Sequence, residues 1–203
     1  MRVTIDATAL DRLSKSLGVG ADVLARAQFR AINKAAEKGV TASRRAIASE
    51  VALTQAYIRD RMALQRATAA QAVAVIRARK RATTLARFSA RQLPRSAPGA
   101  KGDARRGIGP GRKQGGVSVK VKTQGPRKAM PKAFLIPLRA GGEAGANGFG
   151  VFTRQGRSIR HRYGPSVDQV FRSIRNQVAP GIAQDLEVQI VKQLQYELGR
   201  AFK

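Results

Sequence analysis

The 203-residue chain has no cysteine and no tryptophan, a single histidine (His161), and only 12 Asp and Glu residues. Without cysteine there are no disulfide scaffolds, thiolate metal sites or cysteine nucleophiles, and one histidine leaves little for His-based catalysis or zinc chemistry. The few acidic residues in the middle of the chain are isolated, which is poor material for a paired-carboxylate hydrolase or a two-metal nuclease. Long apolar runs are also lacking: the longest is Ala72 to Ile76, and Asp6 and Asp11 stand where a secretory signal would need apolar residues. These absences predict a protein made in the cytoplasm, with no membrane partner, no metal, no cofactor and no enzymatic activity.

What is abundant is positive charge. Lys and Arg number 39, for a formal net charge of +27. The excess belongs to the middle: Arg59 to Arg162 holds 25 basic residues and 3 acidic ones (Asp60, Asp103, Glu143), whereas the remainder holds 14 and 9. A segment of that sign repels itself unless it meets phosphates or an acidic protein surface. Large apolar side chains are few, because 34 of the hydrophobic residues are alanine. A chain this length normally buries about 70% of its unfolded surface, and one short of large side chains reaches that more easily by sharing surface with other subunits. Oligomerisation is expected on that ground.

The pattern predicts an α+β fold: a small, mostly antiparallel sheet flanked by a long N-terminal helix and a C-terminal amphipathic helix, in one domain over 1–203. Val3 and Ile5 alternate with polar neighbours in a short strand. Leu10, Leu13 and Leu17 have helical spacing, and a long Ala-rich helix follows over about Ala21 to Ser49, with Arg26, Arg30, Lys34, Lys38, Arg44 and Arg45 on a solvated face. Thr54 caps a short helix through Met62, with Tyr57 and Ile58 packing. Strands are expected at Ala72 to Arg79, Leu85 to Leu93, around Val117 to Val121, at Ala133 to Arg139 (an edge, because of Pro137) and at Val151 to Arg154. A Gly-rich turn at Gly141 to Gly150 precedes the last of these. Ser166 and Gln169 form a capping box for a helix that Pro180-Gly181 kinks or breaks. Ile182, Leu186, Ile190, Leu194 and Leu198 then run to the C-terminus at four-residue spacing.

Pro94 to Gly116 contains seven Gly, three Pro and six basic residues, with Ile108 its one large apolar side chain. Such composition predicts a flexible loop until a partner orders it. Its cations Arg95, Lys101, Arg105, Arg106, Arg112 and Lys113 are the candidate partner or phosphate contacts. Gly107, Gly109 and Gly111 match no P-loop spacing. His161, flanked by arginines that disfavour its protonation, reads as a packing or surface residue. Aromatics are too few for a single-strand stacking platform, so Phe88 and Phe152 read as core.

The order of several motifs resembles the prophage minor tail protein Z family: Thr54-Gln55-Ala56-Tyr57-Ile58-Arg59-Asp60-Arg61, Arg87-Phe88-Ser89-Ala90-Arg91-Gln92, Gly116 to Lys122, Ala133-Phe134-Leu135, Gly150 to Arg154 with Gly156, and Tyr163 to Val167. The resemblance spans almost the whole chain. It implies a virion protein of long-tailed phages, assembled in the host cytoplasm. Such a protein completes the tail at its head-proximal end and takes part in head-tail joining. It implies tail terminator, tail tube and head-tail connector proteins as partners, with possible contact to packaged DNA or the tape measure protein, and no catalytic residues. By fold-level analogy it implies a homo-oligomeric ring, six-fold favoured. The alternative from another class is a basic architectural DNA- or RNA-binding protein, which the charge alone suggests.

Overall fold

The computed structural model describes residues 1–4, 20–138 and 148–201. Leu10, Leu13 and Leu17, and most of the expected turn at Gly141 to Gly150, lie outside the described residues. By its contacts the chain divides into two compact units, one of Met1–Ala46, Arg59–Arg79 and Phe171–Lys203, the other of Ile47–Ile58 and Lys80–Val170. The elements are small antiparallel sheets with a long helix toward each end of the chain, an α+β arrangement.

The helical unit has one sheet in the order β1 (Arg2–Thr4), β3 (Val73–Ala78), β2 (Met62–Gln65), all antiparallel. Alanine favours helix and lets neighbours approach closely. Accordingly α1 (Ala21–Glu50) buries Ala27, Ala31, Ala35 and Ala36 together with Leu24 and Ile32. One close approach is at Gly39, where a Cβ would come within 2.6 Å of Ile182 Cδ1 and 3.3 Å of Ile76 Cδ1. Helix α1, strand β3 and the C-terminal helix α3 (Val167–Ala201) therefore meet at a glycine. The Asn33 side chain donates to the Ala67 carbonyl (2.9 Å) and accepts from the Ala67 N–H (2.8 Å), fixing α1 to the strand connection.

The charged face of α1 is only partly solvated. Arg26 and Arg30 reach Glu197, whose side chain is 3% exposed, and Lys38 Nζ lies 2.6 Å from Asp185. The capping box at the start of α3 forms as expected, Gln169 N–H to Ser166 Oγ at 3.1 Å and Ser166 N–H to Gln169 Oε1 at 2.9 Å. Of the expected kink or break at Pro180-Gly181, the break is corrected: helix α3 runs through Pro180. So is the expected stripe. Ile182 is buried, but Leu186, Ile190, Leu194 and Leu198 are half-buried, while Gln189 and Glu197 are buried. Four-residue spacing advances 40° per step around a 3.6-residue helix, so that row winds off the packed face.

Among the described residues the sheet unit contains three sheets. One has the order β5 (Arg91–Ser96), β6 (Arg112–Val119), β7 (Lys128–Met130); a second has β10 (Ser158–His161), β9 (Phe149–Gln155), β8 (Ala133–Pro137). The third pairs β4 (Thr83–Thr84) with β11 (Tyr163–Gly164). Strand β8 is an edge, with Pro137 at its end opposite Phe149. Its core includes Phe88, Val117, Leu135, Val151 and Ile58, the last from the short helix α2 (Gln55–Arg59). The expected strand Leu85 to Leu93 is corrected to a 3₁₀ turn (Leu85–Arg87) followed by β5. Leu85, Ala86 and Phe88 are all buried, which breaks a two-residue alternation, and Ser89 reverses the chain at φ +52°. His161 is a packing residue: its ring stacks 4.6 Å from Phe152 and its Nε2 lies 2.8 Å from Thr84 Oγ1.

Candidate functional site

The segment expected to be a flexible loop is for the most part a β-hairpin. Strands β5 and β6 pair through Arg91↔Ser118, Gln92↔Val117 and Leu93↔Gly116, then shift register and continue through Pro94↔Gln114, Arg95↔Lys113 and Ser96↔Arg112. The shift leaves Gly115 as an extra residue on β6, a β-bulge. Gly116 has φ +128°, and a Cβ there would lie 2.8 Å from the Met130 carbonyl oxygen. Pro94 sits at the irregularity, where a missing N–H does least damage to a ladder. Glycine and proline that read as loop are the residues that let a hairpin bend.

The tip is closed by its backbone. Ala97 N–H donates to Gly111 O (2.9 Å), Gly111 N–H to Ala100 O (2.8 Å), Asp103 N–H to Ile108 O (2.7 Å) and Ile108 N–H to Asp103 O (2.9 Å). Ile108 is 4% exposed and anchors the tip. Asp103 caps the 3₁₀ turn Ala104–Arg106 by accepting from the Arg106 N–H, and Gly107 ends it in the left-handed region at φ +68°.

Five of the six candidate contacts are exposed: Arg95 on β5, Lys101 and Arg105 at the tip, Arg112 and Lys113 on β6. Arg106 is different. Its guanidinium hydrogen-bonds Asp103, and its Nε donates to the Leu135 carbonyl at 2.8 Å, so it holds the tip to β8. Hydrogen bonding from that guanidinium, aided by backbone N–H groups, holds the Asp103 carboxyl below the ordinary carboxylate range against a smaller opposing effect of burial. The one acid of the segment is thereby committed to Arg106. Arg95 and Lys113 stand directly opposite each other, so like charges share a face, an arrangement that costs stability in an isolated sheet.

One basic residue of this sheet escaped the sequence reading. Arg127, just before β7, donates through Nη2 to the Ser118 carbonyl (3.1 Å) and to the Ser89 carbonyl. Burial, and secondarily the charge of Arg91, pull its pKa below the usual arginine value. Its acceptors lie 9 and 38 residues away, so no local spacing announces them. Among the described residues no three His, Cys, Asp or Glu side chains are grouped to hold a metal. The arrangement offers an electrostatic contact carried on a two-stranded ribbon.

Comparison with known families decides the class of protein. The model of the family described as prophage minor tail protein Z (GPZ) matches residues 7–203. The chain belongs to that family. No curated protein and no solved structure matches the chain. As a member of the minor tail protein Z family it is a phage tail protein, a component of the virion that works against other tail components. No helix among the described residues is long and apolar enough to cross a membrane.

Proposed function

We propose that this minor tail protein completes the tail at its head-proximal end and takes part in head-tail joining, as a structural subunit without enzymatic activity. Its neighbours are the tail terminator, the tail tube and the head-tail connector proteins. The observation that carries the reading is the β5–β6 hairpin, which projects Arg95, Lys101, Arg105, Arg112 and Lys113 with no carboxylate of its own left to meet them. Repulsion between Arg95 and Lys113 is relieved by an anionic surface: the tube wall, the tape measure protein or the end of the packaged DNA. At physiological salt the Debye length is about 8 Å, so the hairpin acts by touching its partner.

Assembly as a ring, six-fold favoured, completes the proposal. Its support is the outward face of α3, where Val188, Val191 and Tyr196 are 45%, 55% and 55% exposed while Gln189 and Glu197 are buried. An apolar surface turned outward beside polar groups turned inward suits a helix that another subunit covers. The deciding experiment locates the chain in intact particles by comparing density of wild-type virions with virions carrying a tagged copy. Density at the head-proximal end in a closed ring supports the reading. Density elsewhere on the tail, or tight binding of free duplex DNA with no affinity for tails, rejects it.

A further inference from the structure

The sheet unit contains a second basic site, separate from the hairpin and of different chemistry. A cavity of about 450 Å³ is bounded by Ala52, Leu53 and Thr54 on one side and by Ala86, Arg87, Ser89 and Ala90 on the other. The two motifs singled out in the sequence, one beginning at Thr54 and one at Arg87, thus meet at one hollow. Four of the seven walls are aliphatic. Arg87 is the only charged residue among them, and no ion pair of Arg87 occurs among the described residues. Its Nε is shut off from solvent and has no hydrogen-bond acceptor.

Three features hold that guanidinium in place. Its centre lies 4.5 Å from the centroid of the Tyr57 ring, a cation–π contact that restrains the guanidinium. The Tyr57 hydroxyl lies 3.4 Å from Thr83 Oγ1, and the Tyr57 N–H donates to Thr54 Oγ1 at 3.3 Å. On the other wall, Phe88 is fully buried and Ser89 holds φ +52°, a conformation that costs energy for a residue other than glycine. That strained turn is gripped from outside, since the Phe88 carbonyl accepts from the Lys120 N–H (2.9 Å) and the Ser89 carbonyl accepts from Arg127.

We propose that this cavity is a docking site for a protein segment that inserts an aspartate or glutamate side chain onto Arg87. A planar, pre-oriented guanidinium matches a carboxylate in bidentate fashion. The aliphatic walls suit the methylene stem and neighbouring residues of such a side chain. A phosphate, with its larger hydration and charge, would need several donors, and only Arg87 and two hydroxyl side chains are offered. A single cation set among mostly aliphatic walls therefore favours a singly charged side chain with an apolar stem over the polyanionic backbone of a nucleic acid. The inference rests on Arg87 and Tyr57 and stands apart from the role given to the hairpin.

The test uses the full chain labelled for arginine Nε–H NMR, at about 150 mM salt to screen long-range attraction to so basic a protein. The probes are an acetylated, amidated alanyl-glutamyl-alanine tripeptide, its glutaminyl counterpart and inorganic phosphate. The expected result is a saturable shift of the Arg87 Nε–H signal and of the Ser89 and Ala90 amides with the glutamyl peptide. The glutaminyl peptide should bind at least about tenfold more weakly, the usual scale for losing a charge-assisted hydrogen-bond pair, and phosphate, which has no stem to lay against the aliphatic walls, should bind more weakly than the glutamyl peptide. Arg87→Gln should abolish the amide shifts, and Arg87→Lys, which keeps the charge and loses the fork, should bind at least about threefold more weakly than wild type. Equal shifts with the glutamyl and glutaminyl peptides, tighter binding of phosphate, or no shift at Arg87 at tens of millimolar peptide would overturn the proposal. Should Arg87→Gln not fold, the three-probe comparison on the wild-type chain decides the matter alone.

Discussion

The two units use positive charge in opposite ways. Within the bounds of the helical unit the sequence has 19 basic and 8 acidic residues; within those of the sheet unit it has 20 and 4. In the helical unit Arg26, Arg30, Lys38 and Arg66 each reach a carboxylate, and those pairs join α1 to α3 and to the end of β2. In the sheet unit Arg106 reaches Asp103, but Arg95, Lys101, Arg105, Arg112 and Lys113 project from the same hairpin without such a partner among the described residues. Charge that is neutralised inside a unit belongs to its architecture; charge that is left over is available to a neighbour. The contrast makes a definite claim about which substitutions alter folding and which alter assembly.

The largest effect is expected where neither unit relies on charge. Phe88 is fully buried, and a Cβ added at Gly164 would lie 2.5 Å from its ring. Phe88→Ala should cost about 3–5 kcal/mol, the range for removing a buried aromatic from a packed core, read as a shift in the urea midpoint. Next comes the helix face. Ile182→Ala should cost about 2–4 kcal/mol, while Ile190→Ala should cost about half that, because Ile182 is buried and Ile190 is half-buried. Equal costs would restore the four-residue stripe as the packed face and undo the assignment of Gln189 and Glu197 to the interior.

The comparison is sharpest at Glu197. Glu197→Gln leaves the part-exposed Arg26 and Arg30 facing a buried neutral group and should cost about 1–3 kcal/mol, the range for removing one partner of a buried hydrogen bond. Five simultaneous Gln substitutions at Arg95, Lys101, Arg105, Arg112 and Lys113 should change stability by less than about 0.5 kcal/mol, as exposed charges contribute little. Relief of the Arg95 and Lys113 repulsion pushes the change upward. The same variant should lose co-sedimentation with tails and flatten its salt dependence. If Glu197→Gln is silent while the five-fold variant unfolds, the division between structural and available charge is reversed.

Much of this was legible in the chain. The extent of α1, the capping box of Ser166 and Gln169, strand β3 and the edge position of β8 follow from local spacing, because each is decided by residues within a turn or two of one another. The hairpin was not legible. Composition weighs side-chain burial against ordering entropy, and only Ile108 counted in its favour; the ladder through the register shift, the Asp103 cap and the Arg106 bond to Leu135 O are supplied by backbone and by distant residues. Helix α3 misled differently. Its apolar residues stand at four-residue spacing, which reads as one face but drifts around the helix. Charge alone selects the six candidate contacts and cannot separate Arg106 from the other five, since that distinction rests on Asp103 three residues away and on a carbonyl 29 residues away.

The smallest expected effect concerns acid, and it tests whether the hairpin tip depends on its one ion pair. Asp103 has a carboxyl held below its ordinary value by the Arg106 hydrogen bond. A group whose folded value is depressed contributes stability that is fully present above the unfolded value, about 3.9, and lost as pH falls through the folded value. Between pH 7 and pH 5 the tip should therefore be unchanged, and protection of the Arg106 and Gly107 amides against exchange should decline only below about pH 4. Asp103→Asn should remove that acid step while leaving the β5–β6 ladder around Gln92↔Val117 protected, because those bonds do not pass through the tip. Loss of tip protection already between pH 7 and pH 5 would show that another group governs the tip. Loss of ladder protection in the variant would show that the tip nucleates the hairpin, in which case the exposed cations depend for their placement on a single carboxylate.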